Sequence, residues 1–164
     1  MAWLVGKGLE LASSLSSGFV PQLLTFGDIQ VVTTALLAEG GYSFVYSARE
    51  VSKAARTYAV KKVLAQDAEG VAVAEAEVRL LGLVADLPGF VKCFGTTSRP
   101  AAQAGAREFW ILLEYCPNGS LIDLIYRKNA AGEYERGPPL TQERVLEVFF
   151  AVVDAVVRMH ELDP

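Results

Sequence analysis

Cysteine, histidine and excess positive charge are all scarce in this 164-residue chain, which has two cysteines and one histidine. Cys93 and Cys116 fall in separate apolar stretches, with no C-x-x-C and no metal-ligand spacing. A disulfide framework or a zinc site is therefore not what organises the fold, and the pair reads as buried free thiols in a reducing compartment. Fifteen Lys+Arg against nineteen Asp+Glu leave a net charge of −4. A slightly acidic chain lacks the basic surface that neutralises phosphates, so no nucleic-acid partner is expected. No apolar run reaches the ~18 residues that a membrane span needs, so no transmembrane segment is expected. The apolar start Met1-Ala-Trp-Leu-Val is interrupted by Lys7 and Glu10 before a signal-peptide core can form. Fourteen glycines and seven prolines are an ordinary share, and with no internal repeat they exclude collagen-like and low-complexity chains.

What is present is apolar and patterned. Hydrophobic residues make up 52% of the chain, enough for a core of one domain or of part of a larger one. Residues 1–26 form an N-terminal extension in which Leu4, Leu9, Leu11 and Leu15 suit a short amphipathic helix, packed on the domain or associating peripherally with a membrane. From Ile29 the chain turns β-branched, and strands are predicted over 29–37, 43–50, 57–64, 90–97 and 108–116. The Gly40-Gly41 pair marks a hairpin turn between the first two. Residues 69–84, rich in Ala, Glu, Leu and Val, predict a helix that ends at Leu87-Pro-Gly. Ser120-Leu-Ile-Asp opens a short helix with a capping box, residues 129–139 read as a Gly/Pro loop, and Thr141 caps a long helix to about Leu162. The fold class is α+β: a five-stranded antiparallel sheet with one packed helix, then further helices.

Three features in fixed order carry chemistry. Leu37-Ala-Glu-Gly-Gly-Tyr-Ser-Phe-Val45 sets a glycine turn between two strands, where backbone N–H groups approach phosphate oxygens with no Cβ in the way. Tyr58-Ala-Val-Lys61 follows on the third strand. Alternation puts Ala59 and Lys61 on one face, the small alanine leaving room for a flat ring and the lysine reaching its phosphates, whereas Lys62 reads as a solvated lysine. Helical spacing then places Val73, Glu77, Leu80, Leu81 and Val84 on one stripe, with Glu77 inside the apolar face. A carboxylate there needs a partner. Glu75 has Arg79 four residues on, whereas Glu77 either reaches water from the edge of the stripe or finds its cation on the sheet, where Lys61 is the candidate.

These residues resemble the N-terminal lobe of a eukaryotic protein kinase over about 29–164. The loop pattern G-x-G-x-x-G-x-V aligns with Ala38 to Val45, V-A-I-K with Tyr58 to Lys61, and the helix glutamate with Glu77. The run Ala-Glu-Gly-Gly-Tyr-Ser-Phe-Val-Tyr is most similar to the Numb-associated kinases, the group of the adaptor-associated and cyclin-G-associated kinases. The resemblance implies a kinase N-lobe with hinge over 27–116 and the start of a C-lobe over 117–164. It implies ATP as cofactor, with Leu37, Val45 and Ala59 around the adenine and the backbone of Glu114 and Cys116 at its edge. Leu113 would be the gatekeeper, Gly40 and Gly41 the cover of the phosphates, Lys61 their cation and Glu77 the residue positioning Lys61. Leu81 would be a spine residue. A protein substrate of clathrin-adaptor type and a cytoplasmic, endocytic or peripheral-membrane location come with the same resemblance.

Neither H-R-D nor D-F-G occurs in these residues, so the catalytic base and the Mg²⁺ ligands of a complete kinase are not among them; no metal ligand is assigned. His160 matches a structural histidine of the family. The helix Val145 to Met159 is apolar on nearly every face, which suits the inside of a larger core. Both features lead to the expectation of a serine/threonine kinase portion that is inactive alone, with a non-catalytic, pseudokinase-like interaction module as the second reading. A dinucleotide oxidoreductase is a poor third reading, because the glycines join antiparallel strands and open no helix.

Overall fold

The computed structural model describes residues 19–53, 55–129 and 133–162. Its centre is one antiparallel sheet of six strands in the order β1-β2-β3-β4-β6-β5. The strands are β1 (Leu23–Phe26), β2 (Ile29–Glu39), β3 (Ser43–Glu50), β4 (Thr57–Ala65), β5 (Cys93–Pro100) and β6 (Arg107–Glu114). Helix α1 (Ala68–Val84) lies between β4 and β5, and α2 (Leu121–Ile125) and α3 (Gln142–His160) follow the sheet. The fold is α+β, with one strand more than the five expected. Leu23 to Phe26 pairs with Val32 to Ile29, so the described end of the N-terminal extension is extended backbone in the sheet; the expected helix residues Leu4 to Leu15 lie outside the described residues. A second difference is β7 (Tyr126–Lys128) paired with β8 (Tyr134–Arg136), the latter inside the stretch 129–139 expected as a loop.

Alternation along β4 and β6 splits the sheet into two unlike faces. Tyr58 and Val60 pair with Glu114 and Leu112, and the even-numbered side chains Tyr58, Val60, Trp110 and Leu112 join Leu24, Phe26, Val31 and Ala48 in the main core. Val31, Val60 and Leu112 are wholly buried there. Strand β1 closes this core from above, because β1 and β5, the two outer strands, approach each other. Gly95 permits the approach: a Cβ on it would stand 3.1 Å from the Cβ of Phe26. Arg99 Nη2 donates to Gln22 Oε1 at 3.2 Å across the same gap.

The opposite face carries α1. Asp67 caps this helix by accepting from the Gly70 N–H at 2.8 Å, and Ala74 packs with Ala65 and Phe109, flanked by Val63, Val71 and Val78. The buried stripe of α1 therefore runs through Val71, Ala74, Val78, Leu81 and Val84. Val73 and Leu80, expected on that stripe, are exposed, since about 100° per residue turns them onto the outer side. No ion pair joins Glu75 to Arg79 among the described residues.

At the β3–β4 turn the buried Glu50 accepts hydrogen bonds from Ser52 Oγ at 2.7 Å and Tyr58 Oη at 3.0 Å, with Arg56 at 4.0 Å. The Ser52 hydroxyl is the largest influence holding its carboxyl below the usual range, against the opposing effect of burial. Asp123 closes the predicted capping box of α2, accepting from Ser120 N at 2.7 Å and Ser120 Oγ at 2.6 Å. Helix α3 has no buried side chain. It is two-sided rather than apolar all round: Phe149, Phe150, Val152, Val153, Val156 and Val157 are exposed, and Arg144–Glu147 and Arg158–Asp154 pair along the other side.

Candidate functional site: a lysine–glutamate pair beneath a glycine turn

Lys61 lies mid-way along β4, in register with Val45 of β3 and Ile111 of β6. Residues paired across antiparallel strands share a face, so Val45, Ala59, Lys61, Ile111 and Leu113 all stand on the α1 side of the sheet. Glu77, half-way along α1, meets this row: Lys61 Nζ donates to Glu77 Oε1. The expected pair thus forms. It is not fully buried, with 25% of the lysine and 34% of the glutamate side chain accessible. A pair so exposed adds at most about 1 kcal/mol to stability, so its value lies in holding an ammonium at a fixed place on a wettable face.

Above Lys61, β2 and β3 are joined by the Gly40-Gly41 turn, as predicted for a hairpin. The Gly40 N–H donates to the Ser43 carbonyl at 2.7 Å and closes the turn. Neither glycine has a positive φ. A Cβ on Gly40 would sit 3.0 Å from Ser43 Oγ, so a side chain there would need the serine hydroxyl to shift, whereas Gly41 opens onto free space. Leu37 occupies an irregular step of the β2–β3 ladder, between the pairs Leu36–Tyr46 and Ala38–Val45, and is half-buried.

Ala59 is in register with Leu113, which is also in register with Cys93 of β5. Strand β6 ends at Glu114, whose N–H donates to the Lys92 carbonyl at 2.9 Å. Cys93 is half-buried and Cys116 exposed, both free, so the second thiol departs from the buried state expected for it. Thus Val45, Ala59, Lys61, Glu77 and Leu113 come together on one side of the sheet, the Gly40-Gly41 turn lies beyond the Ser43–Val63 pair past one end of the row, and Glu114 with Cys116 lies past the other. Cavities of about 310 and 340 Å³ lie elsewhere in the molecule, and neither Lys61 nor Glu77 lines them.

Lys62, read as solvated, is instead 82% covered on the opposite face. It pairs with Glu108 Oε1 at 2.5 Å and lies 5.1 Å from the Trp110 ring centroid. Arg99 completes the arrangement, 2.7 Å from Glu108 Oε2 and 5.2 Å from the same ring. Burial pushes the Glu108 carboxyl up, but hydrogen bonds from Lys62 and Arg99 outweigh it and hold the group below its usual range. This cluster was missed from sequence because it depends on the Lys62–Trp110 and Arg99–Glu108 registers.

No family model matches the chain. Curated relatives do. A probable serine/threonine-protein kinase of Dictyostelium discoideum is 29% identical over 151 residues, which is 92% of this chain and 18% of that protein. The protein kinase domain-containing protein ppk38 of Schizosaccharomyces pombe is 31% identical over 156 residues, 93% of this chain and 23% of that protein. The serine/threonine-protein kinase ppk30 of the same yeast is 25% identical over 155 residues, 94% of this chain and 15% of that protein. The chain thus spans about a fifth of the length of these relatives. Taken with the α+β sheet, these matches make the fold that of a protein-kinase-like N-lobe with a helix beyond it, and the chain is similar to serine/threonine protein kinases along nearly its whole length.

Proposed function

We propose that this chain is the ATP-binding portion of a serine/threonine protein kinase. One observation carries the reading: a strand lysine and a helix glutamate, sixteen residues apart, meet on the α1 face of the sheet. The donor set fits ATP. Lys61 offers a partly accessible ammonium for phosphate oxygens, Glu77 keeps it from swinging away, and the small Ala59 beside Leu113 leaves a flat slot for a purine. Gly41 presents backbone with no side chain at the covering turn. When bound, ATP supplies the γ-phosphoryl group transferred to a protein hydroxyl. Lys61 then holds the α- and β-phosphates, Val45 and Leu37 cover the adenine, Leu113 closes the back, and the backbone of Glu114 and Cys116 reads the purine edge.

The loop Ala38 to Tyr46 supports a finer placement with the Numb-associated kinases, with clathrin-adaptor-type protein substrates and an endocytic or peripheral-membrane location. The test is phosphate transfer from ATP to serine or threonine in a protein substrate, by the longest reading frame that carries this chain. Lys61→Met should lower transfer at least about a hundredfold, and undiminished transfer would overturn the reading. An adaptor protein phosphorylated no faster than a generic acceptor would remove the finer placement alone.

A further inference from the structure

The connection from β6 to α2 runs through Pro117-Asn118-Gly119-Ser120, with a turn at Pro117 and Asn118. Asn118 and Gly119 are both exposed. Gly119 has a φ of +75°, and a Cβ on it would stand 2.9 Å from Asp123 Oδ2. A side chain at 119 would be opposed twice, by its own backbone and by the carboxylate that closes the capping box of α2. The fold therefore favours glycine here, and glycine leaves its nitrogen open to attack on the side chain before it. Among the described residues neither the Asn118 carboxamide nor the Gly119 N–H takes part in a hydrogen bond. Just beyond them the chain is anchored, because Asp123 Oδ2 accepts from Ser120 N at 2.7 Å. The second asparagine of the chain differs on both counts. Asn129 is followed by alanine, and its Oδ1 accepts from the Glu133 N–H at 3.0 Å.

We infer that Asn118-Gly119 is a self-modification site, independent of the kinase reading. The Gly119 nitrogen attacks Asn118 Cγ, and the new C–N bond closes a five-membered succinimide. Asn118 Nδ2 leaves as ammonia, taking the proton that the Gly119 nitrogen gives up. Water then adds to one of the two imide carbonyls and breaks its bond to nitrogen. Cleavage at Cγ leaves aspartate. Cleavage at the main-chain carbonyl leaves isoaspartate, whose backbone runs through Cβ and Cγ and is one carbon longer. Either product exchanges a neutral amide for a carboxylate, because a carboxyl of ordinary pKa is ionised at neutral pH. The reaction runs one way, and it places a new negative charge, with or without a longer backbone, just ahead of the Ser120–Asp123 cap.

Incubation of the full chain in warm, mildly alkaline buffer, followed by tryptic digestion and mass spectrometry, reads the two asparagines separately. Asn118 falls in peptide 108–127 and Asn129 in peptide 129–136. Peptide 108–127 should gain about 1 Da and split into aspartyl and isoaspartyl forms. Peptide 129–136 should convert at least about tenfold more slowly, since alanine screens the attacking nitrogen. Asn118→Gln, an exposed change that leaves Gly119 in place, should slow conversion in peptide 108–127 at least about tenfold, because closure then needs a larger ring. The folded chain should convert within about fivefold of the chain unfolded in urea, as expected of an exposed turn with both reacting groups unbonded. A larger protection by folding overturns the inference, because the turn then holds the nitrogen away from Cγ. Equal rates at the two asparagines, or conversion undiminished by Asn118→Gln, overturn it as well.

Discussion

The two faces of one sheet follow opposite rules. On the face closed by β1, the core side chains are buried to within a few per cent, aromatic rings stack, and Lys62, Glu108 and the half-exposed Arg99 gather around Trp110. On the α1 face, Lys61 and Glu77 remain a quarter to a third accessible. Adjacent residues of one strand serve the two: Val60 is wholly buried, and Lys61 faces the candidate site. Cohesion and chemistry are thus divided by the two-residue period of a strand, and neighbouring substitutions should fail in different ways.

The largest stability effect should come from the closed face. Leu112→Ala should cost about 2–5 kcal/mol in urea unfolding, because it empties a wholly buried site. Lys61→Met should cost less than about 1 kcal/mol in the same assay, yet weaken binding of a fluorescent ATP analogue, itself weak for this chain alone, at least about tenfold. Equal destabilisation by the two variants would erase the division between the faces.

Acid should expose the same contrast. The carboxyls of Glu50 and Glu108 are held below their usual range in the folded chain. The unfolded chain therefore takes up protons first, near pH 4.3 for a glutamate. The stability these groups contribute is present above that pH and is lost as pH falls through their lower folded values. Urea midpoints measured from pH 6 to pH 3 should decline, and Glu108→Gln should flatten part of the decline. Glu77→Gln, on the open face, should weaken the ATP analogue about threefold to tenfold. The smallest effect belongs to the outer side of α1: Leu80→Gln should lie within about 0.5 kcal/mol of the parent, whereas Leu81→Ala one residue on should exceed about 1 kcal/mol. A reversal would return Leu80 to the packed stripe.

Much of this was readable in the residues. Strand alternation, the hairpin glycines, the caps at Ser120 and Thr141 and the need of Glu77 for a cation are local properties, and they foretold five strands, the helices and the Lys61–Glu77 pair. The misreadings share a cause. Leu23 to Phe26 is too short and ordinary to announce a strand, and it becomes one only because β2 offers an edge. Lys62 looks like a surface lysine until the β4–β6 register sets it in line with Trp110. Val73 and Leu80 were assigned to the packed side of α1 because many apolar residues on a short helix leave its rotation ambiguous, and contact with Ala65 and Phe109 settles it.

Periodicity and chain punctuation by themselves determined the α+β class and the order of the elements, and offered Lys61 as the candidate cation for Glu77. These depend on geometry within a few residues and on the cost of leaving a charge unmatched. Which residues close the core, how β1 meets β5 across Gly95, and the cage of charges around Trp110 were decided only by the tertiary structure. Those contacts join positions distant in the chain, such as Gln22 and Arg99, and no local pattern encodes the register or curl of a sheet that brings them together.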